Sequence, residues 1–230
     1  AFKETTNVPM IIVDPRVSGG SRTESVGSHL DLAPTILAYA GLSEQERKQR
    51  YPFLKGYDLS GMVANPDSDG PRGSSNNPGR GALYTYDMIA SVDAQWLQRN
   101  APVLLDAAAA EAGLEFVRGK EFLANIKDLE KPNMENRELF RGIFDGRYKL
   151  VRYFGLNHYN LPGSIEELFE NNDVALYDLQ LDPEEMNNLA DQGNPNYDEE
   201  LLKTMNDKLN ALIEAEIGED KLIFEPPKSE

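Results

Sequence analysis

The segment ELFRGIFDGRYKLVRYF, residues 138–154, constrains the fold more than any other part of the chain. Two runs rich in β-branched and aromatic residues flank Asp145-Gly146. Primed hairpin turns need a positive φ that glycine adopts without steric cost, so Asp-Gly between such runs predicts an antiparallel hairpin. An isolated hairpin buries too little apolar surface to be stable in water. Further partners are available: residues 82–87 and 175–179 read as strands. Residues 198–217 read as an amphipathic helix with Leu202, Met205, Leu209 and Leu212 on one stripe. Only two heptads exist, which favours a helix lying on a sheet over a coiled coil. Four strands and one long helix make a small antiparallel α+β unit.

The first quarter of the chain is different. Residues 8–13, VPMIIV, are apolar on both faces and close at Asp14-Pro15, the pattern of a parallel strand buried on both sides. Gly19-Gly20-Ser21 is a turn. Asp31 is a suitable N-cap for a helix over 32–40, Pro34 costs nothing in its first turn, and Gly41 ends it. Leu32, Ile36, Leu37, Tyr39 and Ala40 cover most of its circumference, which predicts deep burial. Residues 1–64 thus offer one strand and two or three helices. A buried parallel strand needs neighbours on both edges, so partners are expected from another chain or from sequence beyond this one. The start at Ala1, without an initiator Met, reads as though cut from something longer. Residues 65–81 are rich in Gly, Pro, Ser and Asn and read as a surface loop or linker. Residues 92–131 look helical up to Pro132, and 221–230 extended.

Composition removes several function classes. A length of 230 residues suits one sizeable domain or two small ones. An apolar fraction of 40%, with ten Tyr, nine Phe and one Trp, is enough for a core. The net charge of −16 argues against nucleic-acid binding through a general cationic footprint. Its acid concentrates in 164–230, as expected of a solvated surface. With no cysteine, disulfides, thiolate zinc sites and cysteine nucleophiles are excluded, while oxidising and reducing compartments stay equally open. No run of about 18 apolar residues is present to span a membrane.

Residues 28–41, SHLDLAPTILAYAG, precede residues 176–190, LYDLQLDPEEMNNLA, the latter reading as a strand, an Asp-Pro turn and a short acidic helix. Together with VPMIIVDP at 8–15 and RGIFDGRYKLV at 141–151, these phrases resemble the closing portion of a sulfatase of the alkaline phosphatase superfamily. The likeness runs from residue 2 to about residue 190, and the insert 88–135 is its least family-like part. It implies an α/β architecture: the end of an alkaline-phosphatase-like α/β domain (1–64), a linker (65–81), then a small α+β subdomain (82–230). That subdomain would hold a four-stranded antiparallel sheet and the long C-terminal helix. The resemblance also implies sulfuric-ester hydrolysis with Ca2+ and a formylglycine nucleophile. In the family those groups lie N-terminal to the matching phrases, so neither is carried onto a position of this chain. Phosphonate monoester and phosphate-ester hydrolases share parts of the same phrases.

Sulfate transfer needs a nucleophile, a divalent cation and basic side chains to offset charge. The family's Cys/Ser-x-Pro-x-Arg signature is imitated by Asn76-Asn77-Pro78-Gly79-Arg80, with Asn where the nucleophile belongs. Ser68-Asp69-Gly70 imitates a metal-binding Asp-Asn-Gly or Asp-His-Gly without the second ligand. Asn65, Asp67, Asp69 and Gly70 fit the start of an EF-hand loop, but Asn76 stands where a bidentate Glu is required, and an Asx-rich turn is the better account. Phe2-Lys3-Glu4 fits the family's aromatic-x-Glu element, which places the sulfate-contacting Lys upstream of Ala1 and leaves Lys3 a weak catalytic candidate. His29 belongs to the helix entrance. His158 and Tyr159, on the loop after the hairpin, are candidates for substrate contact, as is Trp96 in the insert. Arg141 is another, in a basic segment with Arg137, Arg147, Lys149 and Arg152. Those cations would attract an anionic ester, pair with acidic residues of a neighbouring domain or, the favoured account, pair with the acidic C-terminal helix.

The expected role is therefore scaffold, silent alone, bracing a catalytic region or another chain that acts on a sulfate-ester small molecule or glycan. The insert could cap a pocket or form a homo-oligomer contact. Rival readings are a non-catalytic or split-gene chain held to a partner through an open sheet edge, and a calcium- or sulfated-glycan-binding module.

Overall fold

A computed structural model describes residues 6–88, 92–101 and 131–219. Its centre is the sheet formed by β1 (Ala82–Tyr86), β2 (Leu139–Phe144), β3 (Tyr148–Phe154) and β4 (Asp173–Asp178), in that spatial order. Every neighbouring pair is antiparallel. At the β2–β3 turn, Gly146 takes φ +113°. The Asp145 carboxylate accepts the N–H groups of Arg147 and Tyr148 at 3.0 and 2.9 Å, so Asp and Gly each do separate work in the turn.

Register decides which residues meet. Ile143 faces Leu150, and Leu150 faces Leu176, giving an apolar row across three strands. The helices are α1 (Leu32–Tyr39), α2 (Glu44–Arg50), α3 (Ser60–Ala64), α4 (Ile165–Asn171) and α5 (Glu199–Glu216); α4 packs on β4, and α5 on β1, β2 and β3. The α5 helix starts at Asp198, whose side chain accepts from the Leu201 N–H, and packs Leu202, Met205, Leu209, Leu212 and Ile213 onto the apolar row. Each such side chain contributes about 1.5–3 kcal/mol on burial. The expected α+β unit, with its four-stranded antiparallel sheet and C-terminal helix, is present.

The first quarter departs from expectation in three ways. Residues 8–13 form no strand: they run irregularly across the surface, with Ile11 87% and Val13 85% exposed. No strand among the described residues offers its edge to them, and an unpaired backbone stays with water. Asp31 does not cap α1 with its side chain. Ser28 caps the short 3-10 turn His29–Asp31 instead, while the Asp31 carboxylate takes the Ser28 N–H and is then used elsewhere. The α1 helix is not deeply buried, since Ile36 is 65% exposed; Pro34 and Thr35 form the covered side. Its end matches the sequence, with Gly41 at φ +91° and the Leu42 N–H returning to the Leu37 carbonyl at 3.1 Å.

Residues 65–81 form a largely exposed loop, but Arg72, Gly73 and Ser74 within it are buried, and Gly146 lies so close to the Ser74 carbonyl that no Cβ would fit there. One further expectation is corrected. After β4 the chain turns without making the short acidic helix. Glu185 sits at φ +56°, outside helical space, while the Asp182 carboxylate takes the N–H groups of Met186 and Asn187. Asn188 then fastens to β4, accepting from the Leu176 N–H and donating to the Val174 carbonyl. Residues 94–101 are helical as expected. The remainder of that helical stretch, Lys3 and the extended tail lie outside the described residues.

Candidate functional site

Two polar constructions stand inside this fold. The first joins the front of the chain to its last helix. Arg72 donates to Asp31 twice, Nε to Oδ2 at 2.7 Å and Nη2 to Oδ1 at 2.8 Å. Its Nη1 donates to the Gly81 carbonyl at 3.0 Å and to Glu216 Oε1 at 2.6 Å, and its guanidinium lies 4.9 Å from the Tyr57 ring centre. Asp31 is completed by the N–H groups of Ser28 and Tyr57. Burial works against the Arg72 charge, but the two carboxylates more than offset it and hold its pKa above the ordinary value. Thr35 extends the network, donating to the Asp31 carbonyl and accepting from the Leu59 N–H. One oxygen is left over: Glu216 Oε2 is buried without a hydrogen-bond partner.

Glu216 also borders a groove of about 560 Å³. Val8, Met10 and Ile11 line it, together with His29, Leu30 and Leu32. Leu83, Tyr84 and Thr85 of β1 and Ile217 complete the lining. The surface is mostly apolar, with one buried carboxylate at its edge.

The second construction is the basic hairpin. Four of its cations are paired, but not with α5. Arg137 meets Asp173 at 2.7 Å, Arg141 meets Asp87 at 2.5 Å, Arg147 meets Asp178 at 2.6 Å and Lys149 meets Glu185 at 2.5 Å. The hairpin alternates its side chains between two faces, so only some cations point toward α5, which corrects the expected pairing. Arg152 does face α5, and it meets amides: Nη1 donates to Asn206 Oδ1 and Asn210 Oδ1, both at 2.8 Å. Its Nη2 is buried and unpartnered. Burial, with Arg141 directly opposite in the register, pushes the Arg152 pKa down to about 10, against an opposing influence from Tyr159.

These positions settle where the candidates stand. Arg141 is 2% exposed and lies over the Phe154 and Tyr159 rings, and Tyr159 packs edge-on against Phe154. Arg141 and Tyr159 are thus together, Arg141 buried and Tyr159 half-buried. His158 is half-buried on the adjoining loop, its N–H donating to the Gly155 carbonyl. Trp96 is half-buried in its helical segment, with its N–H on the Asp93 carboxylate. Lys3 lies outside the described residues. Asp69, from the calcium-like string, accepts from Ser74 and Asn77, which lower its pKa, in the manner of an Asx-rich turn. Among the described residues no three His, Asp or Glu side chains converge as metal ligands would, so these residues do not fit the calcium that the sequence resemblance implies.

Sequence reasoning missed Arg72 and Glu216. For Arg72 the available signal was an Arg inside a Gly/Pro/Ser loop that also held a string of Asx residues. Glu216 gave none, being one acid among many.

No protein-family model matches the chain, and no curated protein matches it. A solved structure of BT4656, in complex with its substrate D-glucosamine-2-N,6-O-disulfate, is similar to this chain at 16% identity and a TM-score of 0.44. That likeness covers 85% of this chain and 25% of the solved one, so this chain spans about a quarter of that protein's length.

Proposed function

We propose that this chain is the C-terminal flank of a sulfuric-ester hydrolase, bracing a catalytic region and forming one wall of its substrate cleft without breaking bonds itself. The observation that carries this reading is the joint occurrence, in order, of SHLDLAPTILAYAG and LYDLQLDPEEMNNLA. Both phrases are spent on architecture here. Asp31 and Thr35 of the first anchor Arg72 and the Leu59 backbone. Asp178, Asp182 and Asn188 of the second hold Arg147, the turn after β4 and β4 itself.

The uncovered apolar residues 8–13 supply the other half of the reading. Val8, Ile11, Val13 and Ile36 are all exposed, an arrangement that a neighbouring sheet would cover. The catalytic region, on this polypeptide or on an associated one, supplies that sheet. It also supplies the nucleophile and the Ca2+ ligands, and it binds the sulfate ester, whether small molecule or glycan.

Hydrolysis of 4-nitrophenyl sulfate tests the proposal. The purified chain is inert, and activity requires a polypeptide carrying a Cys/Ser-x-Pro-x-Arg segment. Turnover by the chain alone, abolished by changing one of its own residues, would sink the reading. Parallel assays with an aryl phosphonate monoester and an aryl phosphate resolve the branch of the superfamily.

A further inference from the structure

We infer that the groove beside Glu216 receives an apolar polypeptide segment that carries a lysine or arginine, whose cation completes Glu216 Oε2. Three observations lead there. The groove is built from Met10, Leu30, Leu32 and Leu83 with Glu216 at its border. The Glu216 side chain is 2% exposed, and its Oε2 has no hydrogen-bond partner. Finally, the buried trio of Asp31, Arg72 and Glu216 sets two carboxylates against one guanidinium, leaving one negative charge uncompensated in a site with little water.

Arg72 cannot supply the missing donor. Its Nε and Nη2 are spent on Asp31, and its Nη1 is shared between Gly81 and Glu216 Oε1. A buried carboxylate oxygen without a donor costs free energy until something reaches it. An incoming cation satisfies that oxygen and neutralises the trio, while the apolar stem of a Lys or Arg suits walls of Leu and Met. Charge also selects the kind of occupant. A second copy of this chain carries a net charge of −16 and is repelled, whereas a segment bearing a cation is drawn in. The adjacent apolar residues 8–13 extend the same contact.

Only the identity of the occupant as polypeptide rests on the proposed role in a larger hydrolase; the groove and its preference for a cation stand apart from it. The probe is n-hexylammonium, compared with n-hexanol by calorimetric titration and by the methyl resonance of Met10. Hexylammonium is expected to bind about tenfold more tightly than hexanol. Glu216→Gln, which keeps an oxygen for Arg72, levels the two. Val8→Ser, at an exposed groove position outside the Asp31–Arg72–Glu216 network, weakens both amphiphiles alike. Equal binding of the two probes to the unaltered chain would overturn the inference without recourse to any variant. Discrimination that persists in Glu216→Gln would do the same. Sedimentation supplies the last arm: a dimer dissociated by Glu216→Gln would assign the groove to a second copy instead. None of these readouts involves sulfate-ester hydrolysis, so the inference and the proposed function fail separately.

Discussion

Arg72 and Asp31, 41 residues apart, are joined by two hydrogen bonds of 2.7 and 2.8 Å, with both side chains at 0% exposure. The pair fixes the loop 65–81 against the start of α1, and its third partner, Glu216, ties both to the end of α5. Removing one member strands buried charge of the opposite sign. Arg72→Met is therefore expected to cost about 3–5 kcal/mol, read as a fall in the urea midpoint. A loss under about 1 kcal/mol would mean that the network contributes little.

Arg152 provides the contrast. Its hydrogen-bonded partners are two neutral amides, so Arg152→Met leaves amide oxygens unsatisfied but strands no carboxylate. The expected cost is about 1–2 kcal/mol, well below that of Arg72→Met. Equal losses from the two substitutions in urea unfolding would contradict this account.

Asp178 links stability to acid. Burial is the largest single influence and would raise its pKa, but the Arg147 hydrogen bonds and charge, with the N–H groups of Gln180 and Leu181, together outweigh it and hold it below the ordinary 3.8. A depressed carboxyl contributes stability that is fully present above the unfolded-state value and is lost as pH falls through the folded one. Stability should thus decline as pH drops below about 4. In Arg147→Ala burial is opposed only by the backbone N–H groups of Gln180 and Leu181, so this group's contribution to the pH slope flattens. Thermal midpoints between pH 2.5 and 6 measure it, and parallel curves for the two proteins would refute it.

The α5 stripe is the apolar counterpart. Leu209 is completely buried and lies in the cluster with Ile143, Leu150 and Leu176. Leu209→Ala is expected to cost about 2–5 kcal/mol through lost burial and the cavity left behind. Chemical denaturation gives the value directly.

At the uncovered surface the expectation is opposite. Ile11→Lys and Val13→Lys alter side chains that are almost wholly exposed, so stability should change by less than about 0.5 kcal/mol. Self-association, followed by light scattering against concentration, should fall. Unfolding by either substitution would mean that residues 8–13 pack on the chain itself.

The hairpin was legible in the sequence because its determinants are local: alternating apolar runs around Asp145-Gly146, with Gly146 at a positive φ. The α5 helix was legible for the same reason, its stripe set by spacing and its start by Asp198. Arg141 and Tyr159 were singled out on residue type alone, and whether either meets a substrate is not something residue type decides. What it could not foretell was that the Arg141 guanidinium would lie over the Tyr159 ring, because that requires β2 and the 156–163 loop to meet. The acidic helix expected after β4 failed where Glu185 adopts a left-handed backbone and its carboxylate joins Lys149 on β3.

By itself the sequence determined periodicity and turns: short-range steric and hydrogen-bonding preferences that act within a few residues. Tertiary structure alone decided which charges became buried partners. Arg72 reaches across 41 residues to Asp31 and across 144 to Glu216, and one-dimensional spacing does not encode such meetings. It also decided that residues 8–13, though apolar on both sides, remain uncovered, because burial depends on a neighbouring surface and not on hydrophobicity alone.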